Sequence, residues 1–385
     1  MRVSARRFAA LCTLVSIIAA GCGSGTDGAT ATTTTEPAPV APYAKAGPFG
    51  VGFTTTHLAD GRRVVIWYPT APGASAGHAQ QSIDITAFLS PELQSKVPAA
   101  SRVVYPARAY QDATPSRPKA GGFPIVLFSH GYAGYPEQSV SLTTHLASWG
   151  FVVAAPDHVE RSLDGILGTA AVGVTKSTDP AVLSATLDLV DKAGSDPGPL
   201  HGLVDPERVA VIGHSAGAGA AYATASADPR VTTWISYSVG FGDQAGPAPA
   251  APEKPGMVML GTTDGIIPPS ASEAVYAGMH PPKYLVKIEN AGHLVFSDIC
   301  LIGRESGGIT GIAKSLALPI PDNLLKLGSD GCTPDHPPVE QAFPAIDQLS
   351  VAFLRSAFHI DARPVGLDTR SVADLGAQVT VAHAG

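Results

Sequence analysis

The stretch VDPERVAVIGHSAGAGAAYATA, residues 204–225, decides how the rest of the chain is read. The apolar run Val209-Ala210-Val211-Ile212 leads straight into Gly213-His214-Ser215-Ala216-Gly217, and that pentapeptide opens a run of small residues suited to a helix. A G-x-S-x-G between a strand and a helix marks a sharp turn that strains the serine backbone and exposes its oxygen. The flanking glycines follow from crowding, because a Cβ at either position collides with a neighbouring strand or helix. With 41 glycines in 385 residues, the five-residue pattern alone is weak evidence; its placement carries the weight. The alternative reading is a glycine-rich helix start with Ser215 as an ordinary N-cap.

Working outward, Pro124 to Ser129, Phe151 to Ala155, Arg208 to Gly213, Val231 to Ser238, Met257 to Gly261 and Tyr284 to Glu289 are short apolar runs, several without alternation, as expected of strands covered on both faces. Helical segments are predicted between them at Glu137–Ser148, Ala181–Lys192, Ala216–Ala225 and Ser270–Gly278. Such alternation implies an α/β chain with a mostly parallel sheet. Val51–His57 and Arg63–Tyr68, separated by Ala59-Asp60-Gly61, suggest an antiparallel hairpin at the sheet edge. Gln341–Phe358 places Phe343, Ile346, Leu349, Phe353 and Leu354 near one face of a closing helix. One catalytic domain is expected over residues 49–362, and the tail 363–385 is either an added strand or disordered.

A serine hydroxyl needs a base to take its proton, and that base needs a carboxylate to fix its tautomer. In this architecture the partners follow in the order Ser, Asp or Glu, His, each on a loop after a later strand. Asp264, in Thr262-Thr263-Asp264-Gly265, ends one strand, and His293, in Glu289-Asn290-Ala291-Gly292-His293, ends the next. Asp243 is the rival acid, and a plain Asp-Gly turn is the alternative role for Asp264. Developing negative charge on a carbonyl oxygen is met by backbone N–H groups. Ala216 supplies one from the helix start, and the loop His130-Gly131-Tyr132 supplies the other, through Tyr132 with Gly131 as the second choice. His130, His158 and His214 are expected to shape the site rather than react. No H-E-x-x-H, P-loop or dinucleotide fingerprint is present, so the chemistry calls for no metal or cofactor.

The formal charge is −7, with 25 basic residues against 32 acidic ones, which argues against a nucleic-acid partner. Arg2, Arg6 and Arg7 precede an apolar run from Phe8 to Ala20, the pattern of a secretory leader over residues 1–21. Ala19-Ala20-Gly21-Cys22 resembles the lipobox of bacterial lipoproteins, with Ala19 where Leu is usual. Lipidation of Cys22 would anchor an exported protein in the cell envelope, and cleavage without lipidation would release it. Residues 22–48 are rich in Thr, Ala, Pro and Gly and are expected to form a disordered tether. In an oxidising compartment Cys300 and Cys332 remain as a pair, for which a disulfide is expected.

FPIVLFSHGYAGYPEQSVSLTTHLASWGFVVAAPDHVERS, residues 123–162, together with VDPERVAVIGHSAGAGAA, resembles the α/β-hydrolase branch that holds bacterial cutinase-like polyester hydrolases and platelet-activating-factor acetylhydrolases. The resemblance runs from Phe123 to His293. It implies an α/β-hydrolase fold and a serine carboxylic ester hydrolase: Ser215 as nucleophile, Asp264 as orienting acid, His293 as base, and an oxyanion hole of the Tyr132 and Ala216 amides. Small to medium acyl esters are the implied substrates, acetylated lipids or polyesters the narrower cases. The alternative is a non-catalytic lipoprotein that binds an apolar ligand on the same fold. Residues 300–340 are additional to the compact cutinase form, and the expected disulfide would pin them near His293 as a possible lid.

Overall fold

The protein is described from a computed structural model covering residues 40–118, 121–170, 175–242 and 247–385. The leader, Cys22, most of the tether and Asp243 lie outside the described residues. Among the described residues, eleven strands form one sheet: β1 (Gly50–His57), β2 (Arg63–Thr70), β3 (Gln80–Asp84), β4 (Val104–Gln111), β5 (Phe123–Ser129), β6 (Val152–Pro156), β7 (Val204–His214), β8 (Thr233–Tyr237), β9 (Gly256–Gly261), β10 (Lys283–Ile288) and β11 (Val379–Ala384). Their order is β11-β10-β9-β8-β7-β5-β6-β2-β1-β4-β3, and β5 to β10 run parallel. The helices are α1 (Pro91–Lys96), α2 (Val140–Ser148), α3 (Leu163–Leu167), α4 (Asp179–Ser195), α5 (Ala216–Ala227), α6 (Pro269–Gly278), α7 (Gly308–Ser315), α8 (Asp322–Leu327), α9 (Phe343–Ala357) and α10 (Thr369–Val372).

Every residue of β5, β6, β8 and β9 is buried, which is why their sequences do not alternate. Successive side chains serve two cores. Val126, Phe128, Val153 and Ile212 face Leu146 of α2 and Leu349 and Phe353 of α9. Ile125, Leu127, Val152 and Val211 face Leu183 and Leu187 of α4 and Ala221 of α5. In α9, Ile346, Leu349, Phe353 and Leu354 are buried and Phe343 is half-buried. Chain order along the sheet reverses at β5, whose successors β6 and β7 lie on opposite sides of it. Ligand sites in open α/β sheets form at such a switch point, beyond the carboxyl ends of the strands. The loop after β5 and the turn after β7 both emerge there.

Four expectations need correction or completion. The β1–β2 hairpin is not at the edge: β4 pairs in parallel with β1 through Gly52↔Tyr110 and Phe53↔Gln111, and β3 lies beyond it. Pro106 and Arg108 hide the strand character of β4, although Ala107 and Ala109 between and after them are buried. Helix α2 begins at Val140 rather than Glu137, because Ser139 is non-helical, at φ −121° and ψ 49°, and Gln138 is engaged elsewhere. The tether does not reach residue 48: Tyr43 is buried, its N–H donating to Gln348 Oε1 and its hydroxyl to Asp361. One aromatic ring among small residues was enough to dock that end. The tail resolves as α10 and β11, the latter antiparallel to β10 at the sheet edge.

Candidate active site

Ser215 has φ 58° and ψ −122°, a backbone conformation that costs a non-glycine residue of order 1–3 kcal/mol and is held only by its surroundings. Its N–H donates to Tyr237 O of β8 at 2.9 Å. A Cβ on Gly213 would stand 2.1 Å from Gly217 O, and one on Gly217 would stand 2.0 Å from Ser129 O and 2.5 Å from His130 O. Both glycines are therefore demanded by close backbone approach. Ser215 precedes α5 but its side chain caps no N–H, so the ordinary N-cap reading fails.

Asp264 sits on the loop between β9 and α6 and divides its two oxygens. Oδ1 accepts the N–H groups of Ile266 at 2.9 Å and Ile267 at 2.8 Å, building the turn; Oδ2 lies 2.8 Å from His293 Nδ1. Burial works against the charged carboxylate, yet the contact with His293 and the two amides outweigh it and hold the Asp264 carboxyl below its ordinary range. Both side chains are sealed from solvent. A proton on Nδ1 facing the carboxylate leaves Nε2 as the basic nitrogen, and Nε2 is buried without a hydrogen-bond partner among the described residues. Ser215 and His293 line the same cleft. No hydrogen bond joins Ser215 Oγ to His293 Nε2 in this structure.

Ala216 opens α5, where the first N–H groups have no intrahelical acceptor. Tyr132 is at the mouth of the cleft, and its N–H makes no hydrogen bond among the described residues. Gly131, the second choice, is committed: its N–H donates to Gln138 Oε1 at 2.9 Å. Gln138 carried no motif or spacing that marks it in the sequence. Its Nε2 lies 2.7 Å from His214 Nδ1, and His214 Nε2 lies 2.9 Å from His293 O. The amide as donor makes His214 a neutral imidazole protonated on Nε2, and burial, with the His293 ring alongside, lowers its pKa to about 3.

Beneath the loop, Arg161 donates to the carbonyl oxygens of His130 and Gly131 and to Ser129 Oγ, and pairs with Asp179. His130 Nε2 accepts the His158 N–H at 3.0 Å, and its Nδ1 lies 2.8 Å from Gly131 O. His130 and His158 thus order the loop from below, while His214 lines the cleft. Among the described residues no group of three or more His, Cys, Asp or Glu is placed to hold a metal, and no helix is long and apolar enough to cross a membrane.

The additional segment forms one wall. Cys300 and Cys332 are joined by a disulfide. Between them, Ile309 and Ile312 of α7 and Leu324 of α8 face the cleft opposite Leu89, Val97 and Leu163. The lining is mostly aliphatic and includes no Asp, Glu, Lys or Arg.

A protein-family model described as Chlorophyllase matches residues 89–260, a span that includes Ser215 and ends before Asp264 and His293. Among solved structures, a ferulic acid esterase from Streptomyces cinnamoneus is similar with a TM-score of 0.54, at 22% identity over 80% of this chain and 90% of that one. The likeness to that structure is one of fold. The parallel sheet, flanking helices and strand-to-helix turn at Ser215 make up an α/β-hydrolase fold.

Proposed function

We propose that the protein is a serine carboxylic ester hydrolase working through an acyl-enzyme, with Ser215 as nucleophile, His293 as base and Asp264 as the carboxylate that orients it. The observation that carries this reading is the buried Asp264–His293 pair, 2.8 Å apart, with an unpartnered Nε2 in the cleft that Ser215 also lines. In the first half-reaction Oγ bonds to the ester carbonyl carbon as Nε2 takes its proton. The resulting oxyanion is met by the Ala216 and Tyr132 N–H groups. The C–O bond to the alcohol breaks, and the alcohol leaves with the proton from Nε2. Water then attacks the acyl group, gives its proton to Nε2, and the acid leaves as Oγ recovers that proton. The cycle needs neither metal nor cofactor.

The uncharged aliphatic lining favours neutral esters of small to medium acyl groups, with acetylated lipids and polyesters as narrower candidates. A panel of p-nitrophenyl esters from acetate to palmitate, run beside a soluble polyester and a phospholipid, tests the class; hydrolysis of none of them contradicts it. Labelling by a fluorophosphonate probe, lost in Ser215→Ala, separates this reading from a non-catalytic binder of apolar ligands. Export and lipidation at Cys22 are part of the same proposal, supported by the leader pattern. Incorporation of a palmitate analogue in wild type, lost in Cys22→Ala, tests the anchor.

A further inference from the structure

We propose that Asp330, carried by the disulfide-bounded segment, is a positioning residue that sets His293 against Asp264. The proposal rests on the serine-hydrolase reading and adds to it a residue from outside the triad. Asp330 Oδ1 accepts the His293 N–H at 2.6 Å and lies 3.4 Å from the Gly265 N–H. Its backbone oxygen accepts the Leu294 N–H at 3.0 Å. One carboxylate oxygen thus touches the backbone of the base itself and of the residue next to the orienting acid, bridging the loops after β10 and β9. Hydrogen bonds to a charged acceptor are the stronger kind.

The surrounding backbone leaves this carboxylate little room to move. A Cβ on Gly265 would stand 2.5 Å from Asp330 Oδ2, and one on Gly292 would stand 2.6 Å from Gly331 Cα and 2.8 Å from Asp330 Oδ1. Gly331 has φ +89°, in the left-handed region that glycine adopts without strain. Cys332 follows directly and is tied to Cys300, a few residues beyond His293. The segment is therefore fastened to the catalytic loops by a covalent link and a carboxylate, besides forming a wall of the cleft. The residues that hold the histidine also hold α7 and α8 against the cleft.

Reactions of this kind lose rate steeply when reacting groups are misplaced by as little as 1 Å, on the order of 10²-fold. The test measures kcat and KM on p-nitrophenyl acetate, Tm, and the low-field proton resonance of His293 Nδ1–H in Asp330→Ala, Asp330→Asn and Asp330→Glu. In Asp330→Ala kcat is expected to fall by at least roughly tenfold with KM within about threefold, and the resonance to broaden or shift. Asp330→Asn keeps an accepting oxygen and is expected to stay within about threefold of wild type. Asp330→Glu keeps the charge but carries it one methylene farther from the backbone, and is expected to behave like Asp330→Ala.

Wild-type kcat in Asp330→Ala overturns the proposal, as does an Asn variant as impaired as the Ala variant. If Asp330→Ala does not fold, the Asn and Glu variants carry the test, and equal or reversed activities overturn it. If the wild type neither hydrolyses esters nor takes the fluorophosphonate label, the functional reading fails. The resonance then tests Asp330 alone: loss in Ala and Glu with retention in Asn supports positioning, and no difference among the three overturns it.

Discussion

Gln138 holds His214 by a 2.7 Å contact from Nε2 to Nδ1 while its Oε1 takes the Gly131 N–H, so one carboxamide ties the loop after β5 to the residue before Ser215. The backbone of Gln138 extends the link, its oxygen accepting from Asp298 N–H and Ser297 Oγ, just past His293. The loop carrying Tyr132, the turn carrying Ser215 and the segment carrying His293 therefore share one side chain and its peptide group.

Replacing Gln138 by Ala leaves the Gly131 N–H and His214 Nδ1 buried without partners. Each such loss costs about 1–3 kcal/mol. We expect a stability loss of about 2–4 kcal/mol in urea denaturation and a kcat lowered by roughly 10- to 100-fold on p-nitrophenyl acetate, because the freed Gly131 N–H lets the loop shift. A Gln138→Ala variant with wild-type kcat would contradict this, leaving Arg161, His130 and His158 sufficient to hold the loop.

Gly217→Ala drives a methyl group into the Ser129 and His130 carbonyl oxygens. Overpacking of this severity costs at least about 1–3 kcal/mol and here moves the turn itself. Thermal unfolding should show a lower Tm, and fluorophosphonate labelling of Ser215 should slow or vanish. Gly219→Ala, whose Cβ would meet only the Phe241 ring at 3.6 Å, serves as the tolerant control.

Acid stability follows from groups other than Ser215, Asp264 and His293. Burial lowers the pKa of His145 to about 4 and, with the Arg161 charge, that of His158 to about 3; His214 is lowered likewise. The unfolded chain protonates these rings near the ordinary histidine value while the folded chain does not. Their contribution is complete above that value and declines as pH falls toward 4. Asp298 acts with the opposite sign: burial raises it to about 6, so its ionisation weakens the folded state above that pH and ceases to do so below the ordinary carboxylate range. Asp298→Asn should therefore be relatively more stable at pH 8 than at pH 4, by a difference of about 2–3 kcal/mol, and should steepen the loss of stability in acid. Chemical denaturation at the two pH values measures it, and a pH-independent difference would contradict the assignment.

The central strands and the serine turn were legible because burial on both faces and close backbone approach restrict sequence severely: apolar runs without alternation, and Gly213 and Gly217 where nothing larger fits. Asp264 and His293 could be read from chain order, since each follows a strand in a loop. The outer strands β3 and β4 could not, because a Gln-Gln-Ser-Ile-Asp strand and one broken by Pro106 and Arg108 look like loop. Gln138, Arg161 and Asp330 were invisible for a different reason. Their partners include backbone groups, near in sequence for Gln138 and distant for Arg161 and Asp330, and hydrogen bonding to a backbone amide or carbonyl leaves no trace in the residue type of the partner. Tyr43 shows the reverse error, in which overall composition masked one decisive ring.

In the proposed mechanism Ser215 and His293 act as a single acyl-transfer unit. Peptide-level mass spectrometry after timed exposure to a fluorophosphonate probe tests it most directly. We expect one adduct, on the peptide containing Ser215, absent in Ser215→Ala and formed at least about 10³-fold more slowly in His293→Ala. An adduct on another residue, or a rate unchanged by loss of His293, would contradict it.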